Sequence, residues 1–214
     1  MDVYFDNFNS YIKSDLYIKD NAIYYNDEKI INIDDIKIKG KHNYENIMCA
    51  IAATKYYGVK NESIFNVLNT FGGVEHRIEY VKTLSNIEFY NDSKATNVKS
   101  TQIALSAFNK PTILLLGGLD RGHSFEGLTN YMKNVYEVVC YGETKNRIKE
   151  YCDSINIKCE ICDTLKEATT KAYEDAKEGS VILLSPACAS WDQYKCFEDR
   201  GCEFKNTINE LKEK

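Results

Sequence analysis

Apolar runs alternate with amphipathic segments over most of this chain. The runs that predict strands are 78–81, 87–90, 112–116, 136–141, 158–161 and 180–185. The segments that predict helices are 98–108, 125–131, 145–154, 165–177 and 203–211. Continuous apolar strands separated by crossover helices are typical of a parallel sheet covered on both faces. We therefore expect an α/β fold with a mostly parallel sheet.

The first 73 residues follow a less regular pattern. Residues 23–31 predict two short strands joined by a turn, and alternating apolar and basic residues over 36–39 predict a half-buried strand. Two helices should follow, one capped by Asn43 and one over 61–69 that buries Ile64, Val67 and Leu68. Gly72 and Gly73 then predict a hinge, which divides the chain into domains 1–73 and 74–214.

The turn at residues 91–97 joins a predicted strand to a predicted helix. Thr96 or Asn97 can cap that helix, which should carry Ile103, Ala107 and Phe108 on one apolar face. A helix N-terminus attracts anions through its free N–H groups and its dipole. The turn can therefore hold a small carboxylate or a nucleotide, and a capped helix with a solvated loop is the structural alternative.

Three predicted strand ends carry most of the reactive side chains. They are Asp92, Lys94 and Thr96, then Asp120, Arg121 and His123, and finally Ser185 and Ser190. Because ligands of parallel sheets bind beyond the carboxyl ends of the strands, these residues should lie along one edge. Two cations and several hydroxyls suit a small dicarboxylate or a phosphate.

Composition and charge exclude several classes of function. The chain has 214 residues, a net charge of −5 and no basic block, so nucleic acid is not an expected partner. No apolar run approaches the ~20 residues that a membrane span requires. The first residues also lack the features of a signal peptide, so we expect a cytoplasmic protein without membrane association.

The eight cysteines are irregularly spaced, which favours free thiols in a reducing compartment. Cys159 and Cys162 have C-x-x-C spacing and Cys152 is near, but the sequence supplies no fourth ligand for zinc. A cysteine-centred redox or zinc protein is one competing interpretation, although no metal site is expected in the chain. Neither G-x-G-x-x-G nor the phosphate-binding G-x-x-x-x-G-K-[ST] occurs.

Four blocks of sequence resemble one known family. They are Gly40-x-His42-Asn43-x-x-Asn46, His76-Arg77, the turn at 91–97, and residues 184–204, which read L-S-P-A-C-A-S-x-D-Q-Y-K-x-F-E-x-R-G-x-x-F. In this order they resemble the Mur ligases of peptidoglycan synthesis. The last block is similar to the branch of the family that adds D-glutamate.

The resemblance implies an enzyme of three domains, of which this chain contains a part. Residues 1–73 resemble the end of the central ATP-binding domain, with strands and helices, and residues 74–214 resemble the complete Rossmann-like C-terminal domain. The P-loop and magnesium ligands of the family have no counterpart. Either the chain is a truncated piece, or the missing N-terminal and central segments lie on another polypeptide.

The resemblance also implies a reaction for the intact enzyme. With ATP and Mg²⁺, such a ligase joins D-glutamate to UDP-N-acetylmuramoyl-L-alanine through an acyl phosphate. This chain alone is expected to be inactive, because it lacks the P-loop that holds the phosphates of ATP. A stand-alone module that binds D-glutamate or a nucleotide is the alternative from another functional class.

Nine residues match functional positions of the family. Asn43, Asn46, Arg77 and Asp92 match positions on the nucleotide side, with Asp92 at the ribose. The resemblance assigns Lys94, Thr96, Arg121, Ser190 and Phe197 to the D-glutamate side, and of these Lys94 and Arg121 to catalysis. Arg121 stands where the family has a lysine, so its hydrogen-bond geometry should differ. His123 is the candidate general base, and an ordinary loop histidine is the alternative.

Overall fold

The computed structural model describes residues 15–38 and 43–214 in full, and only the backbone of residues 5–6 and 41–42. The chain divides into two compact units, Met1–Gly73 and Val74–Lys214. Within the described residues, no helix combines the length and the apolar character needed to cross a membrane.

The first unit contains a four-stranded sheet and two helices. Its elements are β1 (Phe5–Asp6), β2 (Leu16–Lys19), β3 (Ala22–Tyr25), β4 (Glu28–Asn32), α1 (Lys41–Tyr56) and α2 (Asn61–Thr70). The strands lie in the order β1-β2-β3-β4, with β2, β3 and β4 antiparallel. Ile23 and Ile31 from the sheet and Ile47 and Ile51 from α1 belong to one buried cluster.

The two predicted strands within 23–31 are confirmed, but three other predictions for this unit are wrong. Residues 36–38 form no strand, because Ile36 is buried directly after a 3-10 turn over Ile33–Asp35, and Lys39 lies outside the described residues. Asn43 does not cap α1, since the helix begins at Lys41. Val67 is 60% exposed, so the buried stripe of α2 is narrower than its apolar residues suggest.

A six-stranded sheet forms the centre of the second unit. Its strands are β5 (Glu79–Leu84), β6 (Ile87–Asn91), β7 (Thr112–Gly117), β8 (Val135–Tyr141), β9 (Lys158–Ile161) and β10 (Val181–Leu184). They lie in the order β5-β6-β10-β7-β8-β9, and every pair is parallel except β5 with β6. The predicted α/β fold with a mostly parallel sheet is therefore confirmed.

Helices cover both faces of this sheet. They are α3 (Val98–Ser106), a 3-10 helix (Glu126–Asn134), α4 (Lys145–Ser154), α5 (Leu165–Asp175) and α6 (Phe197–Glu210). Leu114 and Leu116 belong to the same cluster as residues of α3, the 3-10 helix and α4, whereas Ile113 and Leu115 belong to the cluster with α5 and α6. Alternate residues of β7 thus enter opposite cores, and all six of its residues are buried. Each fully buried leucine or isoleucine contributes about 1.5–3 kcal/mol.

Two helices differ from the sequence-based expectation. The buried residues of α3 are Thr101, Ala104 and Leu105, whereas Ile103 is half-buried, Ala107 is exposed, and Phe108 packs half-buried against the same core. The helix ends at Ser106, so Ala107 and Phe108 follow its last residue and do not continue its 3.6-residue repeat.

The second difference is at the start of α6, which begins at Phe197 instead of Glu203. Its early turns include Gly201, and glycine has a low helix propensity, so the sequence argues against a helix there. The structure requires glycine there, because a Cβ would lie 2.1 Å from Nδ1 of His76.

Strand register brings three polar turns together. Leu184 at the end of β10 pairs with Asn91 of β6 on one side and with Leu115 of β7 on the other. The turns that follow these three parallel strands therefore leave the same edge of the sheet. They contain residues 92–97, 118–124 and 185–190.

Candidate functional site

Backbone hydrogen bonds hold the three turns against one another. The N–H of Asp92 donates to the carbonyl of Leu184 (2.7 Å), and that of Gly117 donates to Pro186 (3.1 Å). The N–H of Leu119 donates to Ala189 (2.9 Å). The turns after β6, β10 and β7 thus form one connected surface.

The glycine pair after β7 permits this close approach. Gly117 and Gly118 have φ values of +145° and +143°, which side chains of L-residues rarely tolerate. A Cβ on Gly117 would lie 2.0 Å from the carbonyl oxygen of Tyr141, and one on Gly118 would lie 2.3 Å from that of Ala189. Any larger residue would separate the turns.

Asp92 is a buried carboxyl group with two donors from the protein. Oδ2 accepts a hydrogen bond from the hydroxyl of Ser185 (2.7 Å), and Oδ1 accepts one from the N–H of Ile78 (3.2 Å). Burial raises the pKa of Asp92 to about 7, although these hydrogen bonds and the charges of Arg77 and Arg200 oppose the shift. Asp92 therefore titrates near neutral pH.

A cavity of about 140 Å³ adjoins Asp92. Its lining residues are Arg77, Ile78, Asp92, Lys94, Ala95, Ser100 and Ile103. A single water molecule needs roughly 10–15 Å³ of cavity volume, so this cavity has room for several polar groups of a ligand. The structure thus brings the predicted residues Arg77, Asp92 and Lys94 to one place, with Ile103 at the cavity rather than in the core.

Arg200 is a buried cation that the sequence-based reasoning missed. Its guanidinium has no exposed surface and donates to the Ser93 hydroxyl (3.0 Å), the Ser93 carbonyl (2.7 Å) and the Cys188 carbonyl (3.0 Å). The Ser93 hydroxyl in turn donates to the carbonyl of Phe197 (2.7 Å). Arg200 therefore connects the turn after β6, the turn after β10 and the start of α6.

A sequence signal for Arg200 exists in hindsight. Arg200, Phe204 and Ile208 recur at i, i+4 and i+8, and all three are buried on α6. The helix predicted from the sequence begins at Glu203, so Arg200 lies outside the predicted periodic segment.

Lys94 lies on the surface beside Phe197. Its Nζ is 4.7 Å from the centre of the Phe197 ring, and no carboxylate of the described residues pairs with it. The other predicted D-glutamate residue in this turn, Thr96, is half-buried, and its N–H donates to the carbonyl of Lys94 (2.9 Å). Lys94 is thus an available cation next to an aromatic ring, which favours an anionic ligand.

A histidine beneath this region supports Phe197. The His76 ring meets the Phe197 ring edge to face, with centroids 6.1 Å apart. Nδ1 of His76 accepts a hydrogen bond from the Asn91 amide (2.9 Å), which places the proton of the neutral ring on Nε2. His76 therefore packs as a buried structural residue.

Arg121 and Ser190 occupy the other part of the surface. The Arg121 guanidinium lies 4.8 Å from the ring centre of Trp191, which directly follows Ser190. Ser190 is buried, and its carbonyl accepts hydrogen bonds from the N–H groups of Gln193 (3.2 Å) and Tyr194 (2.8 Å). These bonds form a tight turn that fixes the residues after β10.

The remaining predicted residues have simpler surroundings. Nε2 of His123 lies 3.8 Å from Sγ of Cys188, its ring packs against Phe125, and burial lowers the pKa of the imidazole. Asn43 is half-buried and Asn46 is exposed, both near the start of α1 in the first unit.

The described residues include two groups with the spacing of metal ligands, and neither suits Mg²⁺, which prefers six oxygen ligands. In the group Glu75, His76 and Cys202, Nε2 of His76 carries a proton and Lys205 pairs with Glu75.

The other group consists of Glu137, Glu160 and Asp175, and the ammonium group of Lys158 already pairs with its carboxylates. Nζ of Lys158 lies 2.9 Å from Glu137 and 2.8 Å from Asp175. The eight cysteines are free thiols, and the predicted trio Cys152, Cys159 and Cys162 belongs to neither group.

Comparison with known proteins decides the family. Residues 76–188 match the Mur ligase, glutamate ligase domain. The chain belongs to the Mur ligase family. This confirms the resemblance inferred from the four sequence blocks.

Relatives within the Mur ligases are close in sequence. UDP-N-acetylmuramoylalanine--D-glutamate ligase of Bacillus thuringiensis (strain Al Hakam) is 51% identical over 195 residues, which cover 91% of this chain and 43% of that protein. The enzyme of the same name from Bacillus mycoides (strain KBAB4) is 49% identical over 94% of this chain and 45% of its own length. The chain thus spans less than half the length of these curated relatives.

Solved structures of Mur ligases share the fold. UDP-N-acetylmuramate-alanine ligase MurC from Thermotoga maritima superposes with a TM-score of 0.69 at 18% identity, covering 98% of this chain and 48% of that one. MurF from Acinetobacter baumannii gives 0.65 at 14% identity, covering 94% and 46%. At these identities the similarity concerns the fold alone.

Proposed function

We propose that this chain is the D-glutamate-holding part of an ATP-dependent ligase that acts on UDP-N-acetylmuramoyl-L-alanine. The observation that carries the proposal is its 51% identity, over 91% of the chain, to an enzyme named for D-glutamate ligation. The available cations at the edge of the sheet support it, because D-glutamate carries two carboxylates. In this proposal the reaction occurs in the cytoplasm, where peptidoglycan precursors are made.

The proposed division of the site follows its two parts. Asp92 and Arg77, which line the same cavity, face the nucleotide, and the ionised Asp92 carboxylate accepts hydrogen bonds from ribose hydroxyls. Lys94 and Arg121 pair with the carboxylates of D-glutamate, while the hydroxyls of Thr96 and Ser190 complete its hydrogen bonds.

The side chain of Phe197 has a supporting role in this proposal. Its ring lies beside the Lys94 ammonium, and a cation near an aromatic face gains electrostatic stabilisation. Asn43 and Asn46 of the first unit are proposed to contact the adenine side, and residues 1–73 to be the end of the ATP-binding domain.

The chemistry then follows from an activated carboxyl group. Transfer of the γ-phosphoryl group of ATP to the carboxylate of UDP-N-acetylmuramoyl-L-alanine gives an acyl phosphate. The neutral amine of D-glutamate attacks the acyl carbon, a C–N bond forms, the nitrogen loses one proton to a base or to solvent, and inorganic phosphate leaves as the C–O bond breaks. Lys94 and Arg121 hold the nucleophile by its carboxylates, which orients the amine.

The phosphates of ATP and the Mg²⁺ ion are proposed to be held by parts of the enzyme outside this sequence. No phosphate-binding glycine loop occurs in the 214 residues, and the two ligand groups described above do not fit Mg²⁺. We therefore expect no turnover when this chain alone receives ATP, D-glutamate and the UDP-sugar. Measurable amide formation by the purified chain would contradict this assignment.

Binding of D-glutamate to the chain tests the proposal. Titration calorimetry should give a dissociation constant in the millimolar range, since a partial site lacks the contacts of a closed enzyme. Lys94→Ala should weaken binding about ten- to a hundredfold, because a charged hydrogen bond contributes roughly 1.5–3 kcal/mol. Lys99→Ala, which changes an exposed lysine near the start of α3, is the matched control and should bind normally.

The outcomes separate the two functional classes. No binding of D-glutamate, or equal binding by Lys94→Ala and the wild type, would refute the proposed site. Micromolar binding by the isolated chain would instead favour a stand-alone binding module. In an intact ligase that contains these residues, Lys94→Ala and Ser190→Ala should raise the KM for D-glutamate and leave the KM for ATP unchanged.

A further inference from the structure

Trp191 exposes an unusually large apolar surface beside the proposed D-glutamate site. It is the only tryptophan of the sequence, and 63% of its surface is accessible to solvent. Large aromatic side chains normally bury most of their area, so an exposed indole next to a binding surface requires an explanation. Core packing does not supply one here.

The side chain that does contact the indole is Arg121. Its guanidinium carbon lies 4.8 Å from the ring centre, within the range of a cation–π interaction. Among the described residues, no carboxylate pairs with Arg121. Arg147 provides the contrast, because it also lies near an aromatic ring, Phe125, but is paired with Asp120.

The backbone on both sides of this contact is fixed. The Leu119 N–H donates to the Ala189 carbonyl (2.9 Å), which holds the Arg121 loop against the turn that carries Trp191. On the far side, the Asp192 carboxylate accepts from the N–H of Glu143 (3.2 Å). The fold therefore places Arg121 and Trp191 next to each other, and their cation–π attraction adds to this.

A guanidinium that stacks on a ring by its face keeps its edge open. The five N–H donors of arginine lie in the guanidinium plane, so a face-on aromatic contact does not consume them. A lysine in this place would point its ammonium group at the ring or at the ligand, without a fixed plane. The tryptophan thus suits the arginine that this chain has in place of the family's lysine.

We propose that Trp191 is a positioning residue that holds the Arg121 guanidinium by its face, so that the N–H edge binds a carboxylate of D-glutamate. This inference rests on the proposed function, because it takes D-glutamate as the ligand. Ser190 precedes Trp191, so one turn of the chain supplies both a ligand hydroxyl and the support for the ligand cation.

A double-mutant cycle on D-glutamate binding tests this role. Trp191→Leu should weaken binding about two- to fivefold, the equivalent of a cation–π interaction at an exposed site. Trp191→Phe keeps an aromatic face and should restore most of the affinity. In an Arg121→Ala background, Trp191→Leu should have no further effect, which a merely structural role of the indole would not produce.

Two additional measurements complete the test. Tyr131→Leu, which changes a partly exposed aromatic residue of the 3-10 helix, is the control and should bind D-glutamate normally. Without ligand, Arg121→Ala should make the fluorescence of Trp191 more accessible to quenching by acrylamide.

The results distinguish this inference from the proposed function. If the wild type binds D-glutamate and Trp191→Leu binds equally well, only the role of Trp191 is overturned. A further loss from Trp191→Leu in the Arg121→Ala background would also overturn it. If the wild type binds no D-glutamate, the proposed function and this inference both fail.

Discussion

Arg200 donates hydrogen bonds to Ser93 and Lys94 directly follows Ser93 in the chain, yet the environments of the two cations differ completely. Arg200 has no exposed surface, and its guanidinium donates to Ser93 and to the Cys188 carbonyl. Lys94 is exposed, and among the described residues its ammonium group lies beside the Phe197 ring without a carboxylate partner. One cation is fully committed to the protein, and the other is available to a ligand.

This difference separates positioning from binding. A buried charge without a carboxylate partner is costly unless its N–H donors find acceptors. The guanidinium of Arg200 donates to one hydroxyl and two carbonyls, and these bonds join two turns to α6. The exposed cations Lys94 and Arg121 then stand on turns whose geometry is already set. We therefore expect changes in the buried half to affect stability and changes in the exposed half to affect ligand affinity.

Replacement of the buried cation should give the largest effect. Arg200→Met leaves the Ser93 and Cys188 acceptors without donors in a dry interior, so the free energy of unfolding should fall by about 3 kcal/mol or more. Urea unfolding measures the loss. Arg147→Met is the control, because its ion pair with Asp120 is partly exposed and should contribute less than about 1 kcal/mol. Similar losses of unfolding free energy in both variants would contradict the structural role assigned to the buried arginine.

Asp92 should make stability depend on pH in an unusual direction. Its folded-state pKa of about 7 lies above the ordinary value of 3.8, so the folded chain holds the proton more tightly than the unfolded chain does. The resulting stabilisation is complete below about pH 4 and is lost as the pH rises to about 7. Relative to Asp92→Asn, the wild type should therefore lose roughly 2 kcal/mol or more across that window.

The comparison with Asp92→Asn is best made by urea unfolding at several pH values. The asparagine variant cancels the contributions of all other titrating groups. A difference between the two proteins that stays constant from about pH 4 to 8 would show that Asp92 has no raised pKa.

The helix cap beside the site should have the smallest of these effects. The Asn97 side chain accepts a hydrogen bond from the N–H of Ser100 (2.9 Å) at the start of α3. Asn97→Ala should lower the free energy of unfolding by about 1 kcal/mol. Lys99→Ala in the same helix turn has no cap to lose and should change stability by less than about 0.5 kcal/mol, so equal thermal shifts in both would refute the capping role.

The sheet could be predicted from sequence because its signal is local. The two central strands, β7 and β10, are short runs dominated by apolar residues, and complete burial leaves little room for polar residues there. The family blocks also identified which turns carry polar chemistry. Where the local pattern is ambiguous the prediction is wrong, as at residues 36–38, of which only Ile36 is buried, and at Val67.

The arrangement of the site depended on contacts between distant segments. The spacing of Arg200, Phe204 and Ile208 places Arg200 on the buried face of α6, but only the folded structure shows that its acceptors are Ser93 and Cys188. The contact between Arg121 and Trp191 likewise arises from the register of two turns 70 residues apart in the chain. Neither the acceptors of Arg200 nor the aromatic partner of Arg121 has a signature within a single window of sequence.

Addition of D-glutamate to the ¹⁵N-labelled chain, followed by amide NMR, tests the central claim most directly, because it detects millimolar binding and locates it. We predict that the amides of Thr96, Arg121 and Ser190 shift with D-glutamate, whereas that of Lys133, before β8 at the opposite edge, does not. L-Glutamate should produce much smaller shifts. Unchanged spectra at those three amides, or identical shifts with both enantiomers, would contradict the account.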